Sequence, residues 1–401
     1  MPRRSPNEGP ARLLGMSVDR FMREYWQKRP LLVRGALPDL VDPLTPEELA
    51  GLACEDGVES RIVRERGGAH PWEVAWGPHR EAFFASLPER GWTLLVQELN
   101  RHVPEAALLL ERFAFVPNVR VDDVMVSFAA SGGSVGAHLD SYDVFLVQGL
   151  GERRWRYSTM PARRDARFVE GLELRILERF EPDADEVLGP GDMLYLPPGF
   201  AHHGIAETPC LTYSIGFRSP GYGEMWKEFG AHLARRSAVS AALLADPPLT
   251  PARNPGAIPP ALLSRVRSTI RAMDTSNDAI DRWFASFATQ LTPGHELTPP
   301  PRKQPEATVL ARLARGDVVA RTEEGRWAYL PRPRGALFLY VGGEELEIER
   351  PVAELARTLC GCRRFDGREL AALVKSAAAR ALIVRLFAMG ALRFGGRASA
   401  R

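Results

Sequence analysis

The chain has 401 residues, 45% hydrophobic and 25% charged, an ordinary globular composition with apolar material for about two or three domains. With 52 Lys/Arg against 50 Asp/Glu, the net charge of +2 neither demands nor excludes a nucleic-acid partner, and no apolar run approaches a membrane span. The four cysteines (Cys54, Cys210, Cys360 and Cys362) include one close pair and no second, which excludes a disulfide scaffold or a Cys-based zinc tetrad and points to reduced thiols in a cytoplasmic protein.

Residues 1 to about 12 read as a disordered leader, with positive charge but no apolar stretch behind it, so secretion is not expected. Ser17 caps a helix running to Trp26, in which Phe21, Met22, Tyr25 and Trp26 recur at helical spacing. A short strand follows at Pro30–Arg34. A second helix occupies Thr45–Cys54, where Thr45, Pro46, Glu47 and Glu48 supply a cap, a first-turn proline and early acids.

From Trp92 to Phe217 the pattern changes to short β runs: Trp92–Val96, Asp123–Phe128, Tyr142–Gln148, Arg153–Tyr157, Met193–Leu196 and Leu211–Phe217. Gly132-Gly133, Gly149 to Gly151 and Pro190-Gly191 mark turns, and many short strands favour a sandwich or barrel over a parallel sheet. After Pro220 the pattern is helical over Met225–Ala242, Pro260–Met273 and Ala279–Gln290, with Pro-rich joints at 247–260 and 293–305, the second reading as a linker. The remainder mixes strands (Val318–Arg321, Trp327–Leu330, Ala336–Val341) with helices (Val352–Leu359, Glu369–Val374, Ala377–Met389). Trp226, Phe229, Leu233, Trp283, Phe284 and Phe287 form apolar stripes that suit either a dimer interface or packing within the chain.

Two pieces carry chemistry. In Gly136-Ala-His138-Leu-Asp140, residues two apart on a strand project from one face, so His138 and Asp140 can address a common centre. In the run from Gly191 to His202, a turn glycine launches a strand and Pro197-Pro198-Gly199 sets His202 at a defined angle. Two imidazoles and one carboxylate form a facial triad, which suits Fe(II) because three coordination positions stay open. His203 is the rival ligand; strand alternation turns it away from His202, to the rim or a substrate. A cosubstrate with a distal carboxylate needs a buried cation. Arg153 shares a strand face with Trp155 and Tyr157, while Arg154 and Arg156 take the other face and read as a solvated edge.

With these residues the chain resembles the JmjC-type 2-oxoglutarate oxygenases, and more closely the bacterial ribosomal oxygenases. The resemblance extends through Tyr25–Leu31, Asp42–Ala53, Trp92–Gln97, Asp122–Phe128, His138–Phe145, Leu194–Phe200 and Tyr213–Arg218, covering most of 20–218. It implies an α+β chain: a JmjC/cupin jelly roll (a double-stranded β-helix) over 1–220, a helical dimerisation segment over 221–300 and a winged-helix-like domain over 301–401. It implies Fe(II) held by His138, Asp140 and His202, 2-oxoglutarate held by Arg153 and Ser127, and O2 as the oxidant. The implied substrate is an arginine of large-subunit ribosomal protein L-sixteen, and a cationic target calls for an acidic pocket, for which Asp122, Asp123 and Asp143 are candidates against the plainer reading of each as a capping or surface carboxylate. No membrane association is implied.

An alternative reading is a non-catalytic cupin-fold binding module with a nucleic-acid-binding winged helix, because residues 306–401 hold 17 Lys/Arg against 11 Asp/Glu. The acidic stretch Glu344–Glu349 interrupts that excess. A cupin acting on a small metabolite is a third reading, against which the additional domains argue.

Overall fold

The structure, a computed structural model, describes residues 8–65, 72–163, 165–172, 174–236, 243–248, 250–251, 253–292 and 294–395. Strands β1 (Leu31–Val33), β2 (Ser60–Glu65), β3 (Trp72–Trp76), β4 (Trp92–Val96), β5 (Val121–Ala129) and β6 (Asp143–Gln148) lead into β7 (Arg153–Tyr157), β8 (Ala184–Leu188), β9 (Met193–Leu196), β10 (His202–Ala206) and β11 (Cys210–Phe217). They form an eight-stranded antiparallel sheet in the order β1-β9-β6-β11-β5-β4-β2-β3, and a smaller sheet in the order β10-β7-β8. The two sheets make a jelly-roll sandwich.

Period-2 alternation explains why β9 and the interior of β6, Val144–Val147, are apolar on both faces. Phe145, Val147, Met193 and Tyr195 face the helices that cover the large sheet, whereas Val144, Leu146, Leu194 and Leu196 face Trp155 and Tyr157 of the small sheet. A strand buried on both faces has no polar row. The outer layer includes the helix Val18–Glu24, capped by Ser17, and the helix Pro46–Leu52, closed by a capping box between Thr45 and Glu48. Residues 1–7 of the expected leader lie outside the described residues, but 8–12 are not disordered: Glu8–Leu14 is a helix that places Leu13 and Leu14 in the core.

Four strands of this domain lack a sequence signal: β2, β3, β8 and β10. Strand β8 is acidic, and it forms because Asp185 receives Arg154 at 2.9 Å and Arg156 at 3.2 Å from β7. Charge across the pair replaces apolar patterning.

The helix Tyr222–Arg236 packs on the helix Asn277–Thr289, with Phe229 4.9 Å from Trp283. The expected extension of the first helix through 237–242 lies outside the described residues. The helix Pro260–Arg271 completes this segment, and Tyr222, Trp226 and Ile270 are exposed.

The last domain has its own core, built on β12 (Val319–Arg321), β13 (Trp327–Pro331), β14 (Leu337–Val341), β15 (Glu344–Ile348), β16 (Arg364–Phe365) and β17 (Leu392–Phe394). They pair as β16-β12-β17 and β13-β14-β15. Helices Glu306–Arg315, Ala353–Gly361, Gly367–Leu373 and Ala377–Ala388 surround them. The acidic stretch thus forms strand β15. Several arginines of the basic excess are engaged: Arg312 and Arg315 with Asp317, Arg363 with Glu323 and Arg380 with Glu306.

The joint over 293–305 is not a free linker. Leu297 packs on the C-terminal core, and Arg101 of the barrel reaches His295 at 2.8 Å. Beside it Arg326 meets Asp122 at 2.9 Å and Asn118 donates to the Cys360 carbonyl at 2.8 Å, so a polar seam joins the winged domain to the barrel.

Candidate metal centre

The three expected ligands come together. One ligand atom from each of His138, Asp140 and His202 lies within 4.8 Å of the other two. The Asp140 carboxylate is 3.4 Å from His202 Nε2 and 3.9 Å from His138 Nε2. Each imidazole is oriented by its other nitrogen, since His138 Nδ1 donates to the Gly136 carbonyl at 2.9 Å and His202 Nδ1 to the Phe200 carbonyl at 3.0 Å. That tautomer leaves both Nε2 lone pairs facing the centre, the form a metal requires. Burial, and then the neighbouring His138, lower His202 to about 4, so it is neutral and ready to ligate.

His202 opens strand β10, as the turn at Pro197–Gly199 implies, but His138 and Asp140 do not lie on a regular strand. His138 makes isolated bridges to His202 and Ile176. The local geometry comes instead from Gly136, at φ +83°, where a Cβ would sit 2.9 Å from Ile176 Cδ1. A positive φ and a close neighbour both call for glycine.

Arg153 enters from β7 of the small sheet and is 4% exposed. Its Nη1 donates to Ser127 Oγ at 2.9 Å and Thr212 Oγ1 at 3.2 Å, both on the facing large sheet. Thr212 passes its own proton to Gln148 Oε1 at 3.0 Å, so these hydroxyls are oriented. Arg153 Nε is buried with no hydrogen-bond partner, and no carboxylate pairs with this guanidinium among the described residues. Burial without a counter-anion lowers its pKa and is costly, by several kcal/mol for an isolated charge. A ligand carboxylate would relieve that cost.

Between Arg153 and the His-Asp-His cluster lies a cavity of about 220 Å³ with Trp155, Leu146 and Tyr142 in its walls. Trp155 stands beside His202 at 5.9 Å between rings, and Gly204 makes room for it, since a Cβ there would meet the indole at 2.7 Å. Leu174, Arg175 and Ile176 from the β7–β8 connection close one side.

The expected roles of four residues need correction. Asp122, Asp123 and Asp143 do not line this cavity. Asp122 pairs with Arg326; Asp123 accepts from Gln97 and the Glu98 backbone; Asp143 is fully buried among Arg120, Gln27 and Tyr195. Each satisfies a structural donor; Asp140 is the carboxylate in the cavity wall. His203 is neither rim nor substrate-facing: it points away from the cavity onto Ser134 Oγ at 2.8 Å. Tyr142 and Trp155 of the cavity wall, and Thr212 and Gln148 behind Arg153, were not singled out from sequence as parts of the site. Thr212 was findable only through its register opposite Ser127.

Comparison with known proteins matches the JmjC domain to residues 108–225 and a ROXA-like winged helix to residues 270–393. The chain is 36% identical to the Escherichia coli ribosomal protein uL16 3-hydroxylase over 75% of its own length and 79% of that protein. It superposes on the crystal structure of Escherichia coli YcfD with a TM-score of 0.81 at 30% identity, covering 95% of this chain and 99% of that one. A structure of YcfD, a ribosomal oxygenase, in complex with cobalt and 2-oxoglutarate matches at a TM-score of 0.77 and 31% identity, covering 96% and 99%.

Proposed function

The chain belongs to the ribosomal-oxygenase family of JmjC proteins, and from that premise we propose that it is an Fe(II)- and 2-oxoglutarate-dependent protein hydroxylase acting on an arginine of large-subunit ribosomal protein uL16, the L-sixteen protein. The observation that carries the reading is the pairing of a buried, anion-less Arg153 with a His-Asp-His cluster across one cavity. A metal site alone serves many reactions. A metal site facing an unpaired cation selects a chelating dicarboxylate.

The donor set fits the metal: two neutral imidazoles with fixed tautomers and one carboxylate, on one side of the centre. His138, Asp140 and His202 would hold it, and Arg153, Ser127 and Thr212 would hold the far carboxylate of 2-oxoglutarate. When bound, the pair supplies the oxidative step: with O2, 2-oxoglutarate becomes succinate and CO2, and a substrate C–H becomes C–OH. The chain's own residues provide position and dryness. Trp155, Val144 and Leu146 exclude water from the cavity, and Ile176 covers His138. Asp140 and the phenol of Tyr142 give the substrate side of the cavity its polar character.

The residues fall into a catalytic domain (1–220), a dimerisation segment (221–300) and a winged-helix-like domain (301–401). The exposed Tyr222, Trp226 and Ile270 of the middle segment support a homodimer. No helix among the described residues is long and apolar enough to cross a membrane, and a ribosomal-protein substrate supports a cytoplasmic setting.

The test is intact-mass analysis of uL16 after incubation with the enzyme, Fe(II), 2-oxoglutarate and O2. The expected result is one added oxygen on uL16, matched by succinate and lost with His138→Ala. Unmodified uL16 with wild-type enzyme overturns the substrate assignment.

A further inference from the structure

The segment that delivers His138 runs beside β10, the strand that delivers His202, and the two are out of regular step. They pair through reciprocal backbone bonds at His138 and His202, 3.0 and 3.1 Å long. They meet again where the Ala206 N–H donates to the Gly133 carbonyl at 3.0 Å and the Gly132 N–H donates to the Ala206 carbonyl at 2.7 Å. Between His202 and Ala206 the strand advances four residues; between His138 and Gly133 the facing segment advances five. By the Gly133 bond one extra residue, and by the Gly132 bond two, must therefore be absorbed, as in a β-bulge. Ladder bonding alone does not specify where that slack goes, and a slip of one residue would turn His138 away from the centre.

A side-chain bridge spans this stretch. His203, facing away from the cavity on β10, places Nε2 2.8 Å from Ser134 Oγ. Ser134 is buried and its Oγ accepts the Gly136 N–H at 3.0 Å, and the same hydroxyl shares a hydrogen bond with His203 Nε2. The Gly136 carbonyl in turn accepts from His138 Nδ1 at 2.9 Å. The contacts from His203 to the imidazole of His138 thus run through ring, hydroxyl, the two peptide groups that flank the Gly136 Cα, and ring.

We propose that His203 is a positioning residue for the metal centre, acting through Ser134 and Gly136 to lock the bulge that sets His138 in register with His202. The inference rests on the metal-centre reading of His138, Asp140 and His202. The ligand-bearing strand thereby orients the opposing ligand as well as its own. Outer contacts of this kind tune metal affinity by about 10- to 100-fold.

The experiment uses the full-length, metal-free chain and Co(II) as the probe, with the dissociation constant read from the visible absorption of the bound ion. Apo-protein melting is recorded in parallel. Expected are a loss of about tenfold or more in Co(II) affinity for His203→Leu, a similar loss for Ser134→Ala and no further loss in the double variant. His203→Gln, whose amide can still meet the hydroxyl, recovers affinity to within about threefold of wild type. The d–d spectrum of His203→Leu also shifts, because His138 is misoriented rather than absent.

Wild-type affinity in both single variants overturns the proposal. So does a loss confined to His203→Leu with Ser134→Ala unaffected, which would make His203 a ligand itself. If His203→Leu does not fold, Ser134→Ala against His203→Gln decides. His138→Ala separates this inference from the reading beneath it: wild-type protein that binds Co(II) no better than His138→Ala sinks both, whereas specific binding insensitive to His203 and Ser134 sinks the positioning role alone.

Discussion

Arg153 Nη1 lies 2.9 Å from Ser127 Oγ, and this contact ties the two sheets of the jelly roll together at the end of the cavity remote from the imidazoles. Among the described residues the guanidinium finds two hydroxyls and no carboxylate. Hydroxyls satisfy hydrogen bonds but not charge, so the site is built around an anion that the described residues do not supply.

Replacing Arg153 should therefore separate stability from function. Arg153→Met removes a buried unpaired charge while keeping most of the volume, and the apo protein is expected to gain about 1–4 kcal/mol. The apparent affinity for 2-oxoglutarate should fall roughly 100-fold, as when one partner of a buried charge pair is truncated. Co(II) binding should stay near wild type. Thermal melts with and without 2-oxoglutarate, alongside a Co(II) titration, check all three.

The metal should appear as stability. At a concentration 100 times its dissociation constant, Co(II) is expected to stabilise the wild-type fold by about 2.7 kcal/mol. His138→Ala and Asp140→Asn should remove most of that increment while leaving the apo protein close to wild type. Denaturant unfolding with and without the ion measures it, and an increment that survives both substitutions places the ion elsewhere.

Gly136→Ala tests the backbone of the first ligand segment. An alanine at φ +83° with its methyl 2.9 Å from Ile176 Cδ1 must bend the segment or displace Ile176. The expected cost is about 1–3 kcal/mol, with weaker Co(II) binding, because the Gly136 carbonyl also orients His138. Val135→Ala, one residue away with no such backbone demand, serves as the control.

Asp123 predicts a pH dependence. Burial, and then the adjacent Asp122, raise its pKa from 3.8 to about 7. The folded protein therefore holds a proton that the unfolded chain releases, and by linkage stability falls as pH rises through the window from about 4 to 7. Above it the folded state carries a strained carboxylate. Asp123→Asn cannot ionise and keeps an acceptor for Gln97 and the Glu98 backbone. The variant should match wild type near pH 4 and exceed it increasingly toward pH 8, by about 1–4 kcal/mol. Chemical denaturation across this range is the measurement, and a constant difference would contradict the assignment.

Much of the site was legible in the sequence because its geometry is local. Pro197-Pro198-Gly199 dictates a turn that ends at His202 whatever surrounds it, and the alternation along Arg153–Tyr157 assigns Arg153 to one face with Trp155 and Tyr157 and Arg154 and Arg156 to the other. Strands β4, β6 and β9 announced themselves by apolar runs, and β7 by the alternation of its arginines with Trp155 and Tyr157. Strands β8 and β10 did not, since the first is held by charges from β7 and the second carries histidine and glycine where a strand signal would need branched apolar residues.

The composition, the two histidines with their aspartate, and the strand face that Arg153 shares with Trp155 and Tyr157 were thus legible in the sequence, which left open whether Arg153 is a buried or a solvated cation. Only the tertiary structure decided what Arg153 lacks, since a missing partner is a property of everything that packs around a residue. It also decided the parts of Asp122, Asp123 and Asp143, which sequence proximity had grouped with the pocket and packing assigned to other donors. His203 belongs with them. Its meaning depends on Ser134, 69 positions away in the chain, and adjacency of that kind is created by the crossing of two segments, which no periodicity along one of them encodes.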